Sequence, residues 1–300
     1  LLDWANSYLT FSEVKHVEKT FKEKRRTFKT FFSSVNPHLA VDELTPSDVL
    51  IYVQAQKKAR SGYAANKDRK NLVAGWNWGM KYMNPPLPGP NPCDVEKMPE
   101  ERHPRYIPPE GDFWKVYETA QGQDKVILTA CLHLAARKGE LFRLRWDDVD
   151  FGEERIRLFT RKRKDGNWEH NWLPMTDELF NVLLLHRQVS DSECVFINPK
   201  TGNPYVERKR WMGKLCKEVG VKHFGLHAIR HLTASILAKD GVPAIKIQGI
   251  LRHKKLSTTE GYLHQLEDLK PALQALSKKK KPSGEPSSLQ AAYRKIKAVA

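Results

Sequence analysis

Nine of the chain's 18 prolines fall between residues 84 and 109, in NPPLPGPNPCDVEKMPEERHPRYIPP. Proline fixes φ and lacks an amide hydrogen, so neither a helix nor a central strand runs through such a stretch, and an extended connection is expected. The chain is therefore expected to fold as one body before the prolines and another after them. Its 300 residues suit two domains of ordinary size, each with its own core. The predicted divisions are residues 1–100, residues 101–275 and a tail over residues 276–300.

The first of these regions reads as helical. Thr10 and Glu13 have capping-box spacing, and Val14, Val17, Phe21, Phe28, Phe31 and Phe32 mark an intermittent apolar stripe. The other face carries Lys15, Lys19, Lys22, Lys24, Arg25, Arg26 and Lys29, a surface suited either to water or to phosphates. Thr45 followed by Pro46 signals a further helix start, and YAANKDRKNLVAGWNWGMKYM gives another helix, about four in all. Trp76 and Trp78 read as core or rim rather than as a base-stacking platform.

Beyond the prolines the sequence predicts a helix near residues 110–120, an apolar helix KVILTACLHLAA and a turn at RKGE leading into LFRLRW. Two strands, RIRLFTRKRK and HNWLPM, are joined by a turn around DGN, and helices resume at TDELFNVLLLHRQ and continue to about residue 275. The fold class expected is mainly α with a small antiparallel β-sheet: an N-terminal helical bundle followed by an α+β domain. KKKKPSGEPSS is low in complexity, and LQAAYRKIKAVA after it suits one short amphipathic helix. No internal repeat is visible.

A formal charge of +16 exceeds what solubility requires and points to a polyanionic partner, nucleic acid first and a membrane surface second. No apolar run reaches the roughly 18 residues of a spanning helix. LLDWANSYLT lacks the basic start and long apolar stretch of a secretion signal, so a soluble, intracellular protein is expected. The absence of an initial methionine suggests a fragment of something longer. Cys93, Cys131, Cys194 and Cys216 show no C-x-x-C spacing, which argues against a disulfide framework or a zinc knuckle; reduced, mostly buried thiols are expected.

The chemistry-bearing residues cluster late in the chain. In HAIRHLTASILAKDG, residues 227–241, Ile229, Leu232, Thr233, Ile236 and Leu237 follow helical spacing, and Gly241 stands where a stop belongs. His227 and Arg230 project together near the start of that helix, where free amides and the dipole favour an anion. Pro243 restarts a helix that delivers His253, and Tyr262 follows nine residues later. His227 and His231 stand at i, i+4 like zinc-protease ligands, but Ala228 occupies the place of the required glutamate, so no metal is expected.

The order HAIRH, then GILRHKKLSTTEGY, resembles the second box of the tyrosine recombinases, the phage integrase family: H-x-x-R, a downstream L-G-H, then T-x-x-Y. AARKGELFRLRWDDVDF is similar to the family's first box, which implies Arg137 as its arginine and Glu140 as the acidic neighbour. RKDGNW looks like the family's K-T-G turn and implies Lys164 as the hairpin lysine, with Lys162 the alternative. The resemblance covers roughly residues 1–275. It implies a helical, SAM-like core-binding domain followed by the catalytic domain, the two closing on a duplex as a clamp. Two departures stand out: Ala228 replaces a common aspartate, and Arg252 replaces the usual glycine before the second histidine.

The resemblance implies a site-specific recombinase or integrase acting on double-stranded DNA without cofactor, metal or ATP. Tyr262 would attack the phosphodiester to give a 3′-phosphotyrosyl bond. Arg137 and Arg230 would offer planar forks of donors to the non-bridging oxygens, and His253 a further hydrogen bond. His227 is the implied acid/base, and Lys164 the acid for the leaving 5′ oxygen, its pKa lowered by nearby arginines. Lys15, Lys19, Lys22, Arg25, Arg26, Lys162 and Arg163 are candidate phosphate contacts. A tetramer on two duplexes, a tail passed between subunits, accessory DNA-bending proteins and a place at the nucleoid in the bacterial cytoplasm are implied as well. Type IB topoisomerase-like relaxation, or an inactive DNA-binding module, are the alternatives left open.

Overall fold

The computed structural model describes residues 1–101, 106–161, 168–208 and 210–257, and residue 259. The chain divides into two compact units at residue 104, inside the proline-rich stretch.

The N-terminal unit is four helices: α1 (Leu2–Lys15), α2 (Glu18–Phe31), α3 (Pro46–Ala59) and α4 (Gly62–Tyr82). Thr45 caps α3 as expected, its hydroxyl accepting from the Asp48 amide while the Asp48 carboxylate accepts from the Thr45 amide. Thr10 does not begin a helix. It lies inside α1, and its hydroxyl donates to the Asn6 carbonyl one turn back. The predicted stripe also needs correction, because His16 is extended and breaks the helix. Val14 is 90 % exposed and Val17 46 %. Phe28 and Phe31 of the stripe do enter the core of this unit, together with Trp4, Tyr52, Leu72 and Trp76. Trp4 meets Phe28 and Trp76 edge-on, each at 5.0 Å. Trp76 is thus core, and Trp78 is rim, stacked on Phe11 at 5.3 Å. Lys24 leaves the basic face: it is buried, and its Nζ donates to the Tyr8 hydroxyl at 2.6 Å.

In the C-terminal unit, α5 (Glu110–Thr119) and the apolar α6 (Gln123–Leu134) are followed by α7 (Lys138–Leu141), a single helical turn where the sequence predicts only a turn. A short 3₁₀ helix (Trp146–Asp148) leads into a three-stranded antiparallel sheet. Its strands are β1 (Val149–Asp150), β2 (Arg155–Arg161) and β3 (Trp168–Pro174), in the order β1-β2-β3. Register runs from Arg155 opposite Pro174 to Arg161 opposite Trp168. Strand alternation sends Ile156 and Leu158 into the core and aims Thr160 the same way. After α8 (Asp177–Gln188) the chain is largely irregular up to α9 (Trp211–Glu218), with two isolated bridges. That interrupts the continuous helical region expected there, because the Asn, Pro and Gly of INPKTGNP favour turns.

The apolar residues of α10 (Leu226–Lys239) meet the core as their spacing predicts, with Ile229, Leu232 and Thr233 buried. Gly241 ends the run at φ +75°, a conformation that needs no Cβ. Pro243 then leads into α11 (Ala244–Leu251). Mainly helical architecture with a small antiparallel sheet is the class the sequence predicts. Among the described residues no helix is long and apolar enough to cross a membrane.

Candidate active site

The site begins with one turn of helix. Arg137 is the residue before α7, and Glu140, three positions on, returns its carboxylate to the Arg137 amide at 2.9 Å and to Arg137 Nη1 at 2.7 Å. The same carboxylate accepts from Thr160 Oγ1 on β2 at 2.7 Å and from Arg252 Nη2 at 2.8 Å. Glu140 is only 4 % exposed. Burial alone would push its carboxyl up. The charge of Arg252 and the hydrogen bonds from Thr160 and Arg137 outweigh that and hold it at about 2.

Two helix ends form the floor. After α6, Ala135 adopts the left-handed conformation (φ 44°, ψ 38°), and after α11 Arg252 does the same (φ 53°, ψ 45°). Helices that stop this way leave carbonyls without partners, at the negative end of the dipole. Arg230, reaching from α10, donates to the carbonyls of Ala135 and Leu251 and is buried. Arg252 donates to the carbonyls of Leu134 at 3.1 Å and Ile250 at 2.9 Å, and makes a longer contact to that of Ala135 at 3.4 Å. Two guanidinium groups therefore fill the space where two helices end.

His253 follows Arg252. Its Nδ1 lies 2.9 Å from Thr259 Oγ1, a hydroxyl on a fully buried residue. Burial first, then the positive charge of Arg230, Arg137, Arg252 and His227, pushes the His253 imidazole down to about 4. It is neutral at pH 7. His227 sits in the first turn of α10, exposed, with its ring edge-on to that of buried His231 at 4.7 Å. A cavity of about 600 Å³ opens beside His253, lined among others by Thr160, Glu169, His170, Gln248 and Arg252. Among the described residues, no group of three or more His, Cys, Asp and Glu side chains is arranged to hold a metal ion.

Arg137, Glu140, Arg230 and His253 thus come together from segments far apart in sequence, with His227 close enough to act on His253. Tyr262, Lys164, Lys162 and Arg163 lie outside the described residues. Lys15, Lys19, Lys22, Arg25 and Arg26 are exposed on α1 and α2 of the N-terminal unit, with Lys22 paired to Glu18 at 2.6 Å. No sequence signal points to Thr160, and Arg252 shows only as a departure from the family pattern. The signal for Arg252 was a long cationic side chain where a helix end favours glycine.

The depressed His253 carries a prediction. Its folded pKa lies below the ordinary value near 6.5, so the unfolded chain binds the proton more readily. The stability it contributes is complete above about pH 6.5 and is lost as pH falls toward about 4. In urea titrations across that range wild type should lose stability relative to His253→Gln as the pH falls. A constant difference between them would contradict the assignment.

A sequence model of the phage integrase family matches residues 112–268, just over half of the chain. The chain belongs to the phage integrase family. It is 30 % identical to the tyrosine recombinase XerA of Saccharolobus solfataricus over 49 % of this chain and 48 % of that one. Its alignments span about half the length of the first curated relatives it matches. Among solved structures it resembles a λ integrase tetramer bound to a Holliday junction, with a TM-score of 0.71 at 14 % identity over 87 % of this chain and 76 % of that one. It also resembles the Tn1549 transposon integrase in complex with transposon right-end DNA, with a TM-score of 0.69 at 16 % identity over 92 % and 98 %. At such identities these two likenesses concern the fold. As a member of the phage integrase family, the chain carries its Arg137–Glu140 turn, α10 and the His253 segment all within the matched residues.

Proposed function

We propose that this chain is a site-specific DNA recombinase that cleaves and rejoins strands through a 3′-phosphotyrosyl bond on Tyr262. The observation that carries the reading is the convergence of Arg137, Arg230 and His253 in a field positive enough to help push His253 down to about 4. A phosphodiester resists attack because it is anionic and its alkoxide leaves poorly, and a preorganised cationic pocket answers the first difficulty.

The step balances without a cofactor. The Tyr262 oxygen bonds to phosphorus, the bond from phosphorus to the 5′ oxygen breaks, and Lys164 protonates the leaving oxygen. His227 takes the phenol proton. Arg137 and Arg230 stabilise the charge on the non-bridging oxygens. In the tautomer where Nδ1 accepts from the Thr259 hydroxyl, neutral His253 carries its hydrogen on Nε2 and offers it to the same phosphate. One phosphodiester replaces another, so no ATP is consumed. A 5′ hydroxyl from a partner duplex then completes strand exchange.

The domain reading belongs to this proposal: residues 1–100 bind the core site, residues 101–275 cut, and residues 276–300 pass between subunits of a tetramer on two duplexes. The family membership and the likeness to a λ integrase tetramer on a Holliday junction support it. Lys15, Lys19, Lys22, Arg25 and Arg26, with Lys162 and Arg163, contact phosphates, so affinity should fall steeply with salt.

The test is a nicked suicide duplex built from the genomic junctions that flank the gene. The intact chain should yield a covalent adduct on a denaturing gel, and Tyr262→Phe should yield none. An adduct that survives in Tyr262→Phe would overturn the nucleophile. Binding without any adduct would make the chain a DNA-binding module, and relaxation of plasmids lacking the junctions would favour a topoisomerase.

A further inference from the structure

We propose that Arg252 is a positioning residue of the cleavage site, a clasp that ties the segment carrying His253 to the turn carrying Arg137 through the carboxylate of Glu140. The inference rests on the transesterification reading above and goes beyond it: the nearly buried Arg252 guanidinium, bonded to Glu140 and to the carbonyls of Leu134 and Ile250, is given a positioning role that the reaction itself does not assign.

The geometry has three parts. One Glu140 oxygen receives Arg137 Nη1 and the other receives Arg252 Nη2, so a single buried carboxylate sets two guanidinium groups. A planar fork with fixed donor directions suits that task, whereas a lysine ammonium at the end of a flexible stem does not. Arg252 also donates to the carbonyls of Leu134 and Ile250, at the ends of α6 and α11, which pins the two helix ends together. The next residue is His253, whose amide donates to the Gln248 carbonyl at 3.1 Å while Gln248 Nε2 donates to the His253 carbonyl at 2.9 Å. The backbone on both sides of the imidazole is thereby fixed to α11, and α11 is fixed to Glu140.

The left-handed backbone at position 252 sharpens the argument. A non-glycine residue is disfavoured there, and glycine would relieve the strain. An arginine held in this conformation by so many hydrogen bonds has a use for its side chain that outweighs the backbone preference. Removing it should therefore ease the local backbone while loosening the site, a combination that an ordinary packing residue would not give.

The charged and titratable groups facing His253 are Arg230 and His227 from α10, Arg137, Arg252 itself, and Glu169, His170 and Lys254 around the cavity. Arg252 is one of several cations that depress His253, so its loss should raise the imidazole's titration midpoint, and the expected rise gives a readout independent of cleavage.

The experiment compares wild type, Arg252→Gly, Arg252→Lys, Glu140→Gln and Arg252→Gly combined with Glu140→Gln, all in the intact chain. Each is measured for single-turnover adduct formation on the suicide duplex, affinity for that duplex, and the His253 midpoint by histidine NMR. Arg252→Gly should lose about thirtyfold or more in rate with affinity nearly unchanged, because the contact acts only on the preorganised site. Its His253 midpoint should rise. Arg252→Lys should keep the midpoint low yet remain slow, and the double variant should be little worse than Glu140→Gln alone, as expected for two groups acting through one another. Cleavage by Arg252→Gly within about threefold of wild type, or by Arg252→Lys at the wild-type rate, would overturn the positioning role. If wild type itself forms no adduct, the recombinase reading fails. The histidine titration then decides the clasp alone, an unmoved midpoint in Arg252→Gly overturning it.

Discussion

Replacing Glu140 with alanine should destabilise the C-terminal unit by about 3–5 kcal/mol, the ordinary cost of leaving one member of a buried ion pair without the other. Glu140 and Arg252 are almost wholly buried, with side chains 2 % and 4 % exposed, so water cannot replace the lost carboxylate. The effect should fall on more than one residue, since Thr160, Arg137 and Arg252 all donate to that carboxylate. Urea unfolding of the intact chain, followed by near-UV circular dichroism, measures the loss at pH 7. A change below about 1 kcal/mol would mean that the charges around Glu140 rearrange freely, contrary to the buried network described above. The sign with pH is fixed too. Because the Glu140 carboxyl is held at about 2, its contribution is present above the ordinary glutamate range and is lost as pH falls through about 2. The gap between wild type and Glu140→Ala should therefore narrow in strong acid.

Arg230→Lys should slow adduct formation on the order of a hundredfold or more, the size of effect seen when one preorganised donor is taken from a charge-stabilising site. Arg230 is buried and donates at once to the carbonyls of Ala135 and Leu251, which lie on different segments. An ammonium keeps the charge but loses the planar fork that can serve both carbonyls and still face a phosphate. The comparison with Arg230→Ala separates two contributions. Alanine should also lower stability, because it leaves the Leu251 carbonyl without its side-chain donor and the Ala135 carbonyl with only the longer contact from Arg252. Equal stability of the two variants would sink the carbonyl-capping account, and wild-type rates in Arg230→Lys would sink the fork.

Much of this candidate site is legible in the sequence. The helical spacing of Ile229, Leu232 and Thr233 shows which face of α10 is buried, but not that Arg230 is buried with it while His227, three residues earlier, is exposed. The proline-rich stretch announced two units. Local signals failed where a break intervened: Thr10 and Glu13 satisfy a capping pattern inside α1, and Val14 and Val17 fall on either side of the kink at His16. Periodicity cannot see such a break, because the residues on each side keep the same apolar and polar alphabet. Spacing places Lys24 on the basic face, and only the neighbouring Tyr8 hydroxyl explains its burial.

The sequence by itself determined which candidate groups are present and in what order the chain delivers them. These are consequences of local chemistry: proline breaks, apolar periods and capping residues act over a few positions. Only the tertiary structure decided how those groups act on one another. Glu140, Thr160 and Arg252 lie up to 112 residues apart yet share one carboxylate. The depressed pKa values of Glu140 and His253 arise because folding removes water from around charges that the sequence lists separately. Hydrogen bonding and electrostatics in a buried pocket depend on distances through space, which no spacing along the chain encodes.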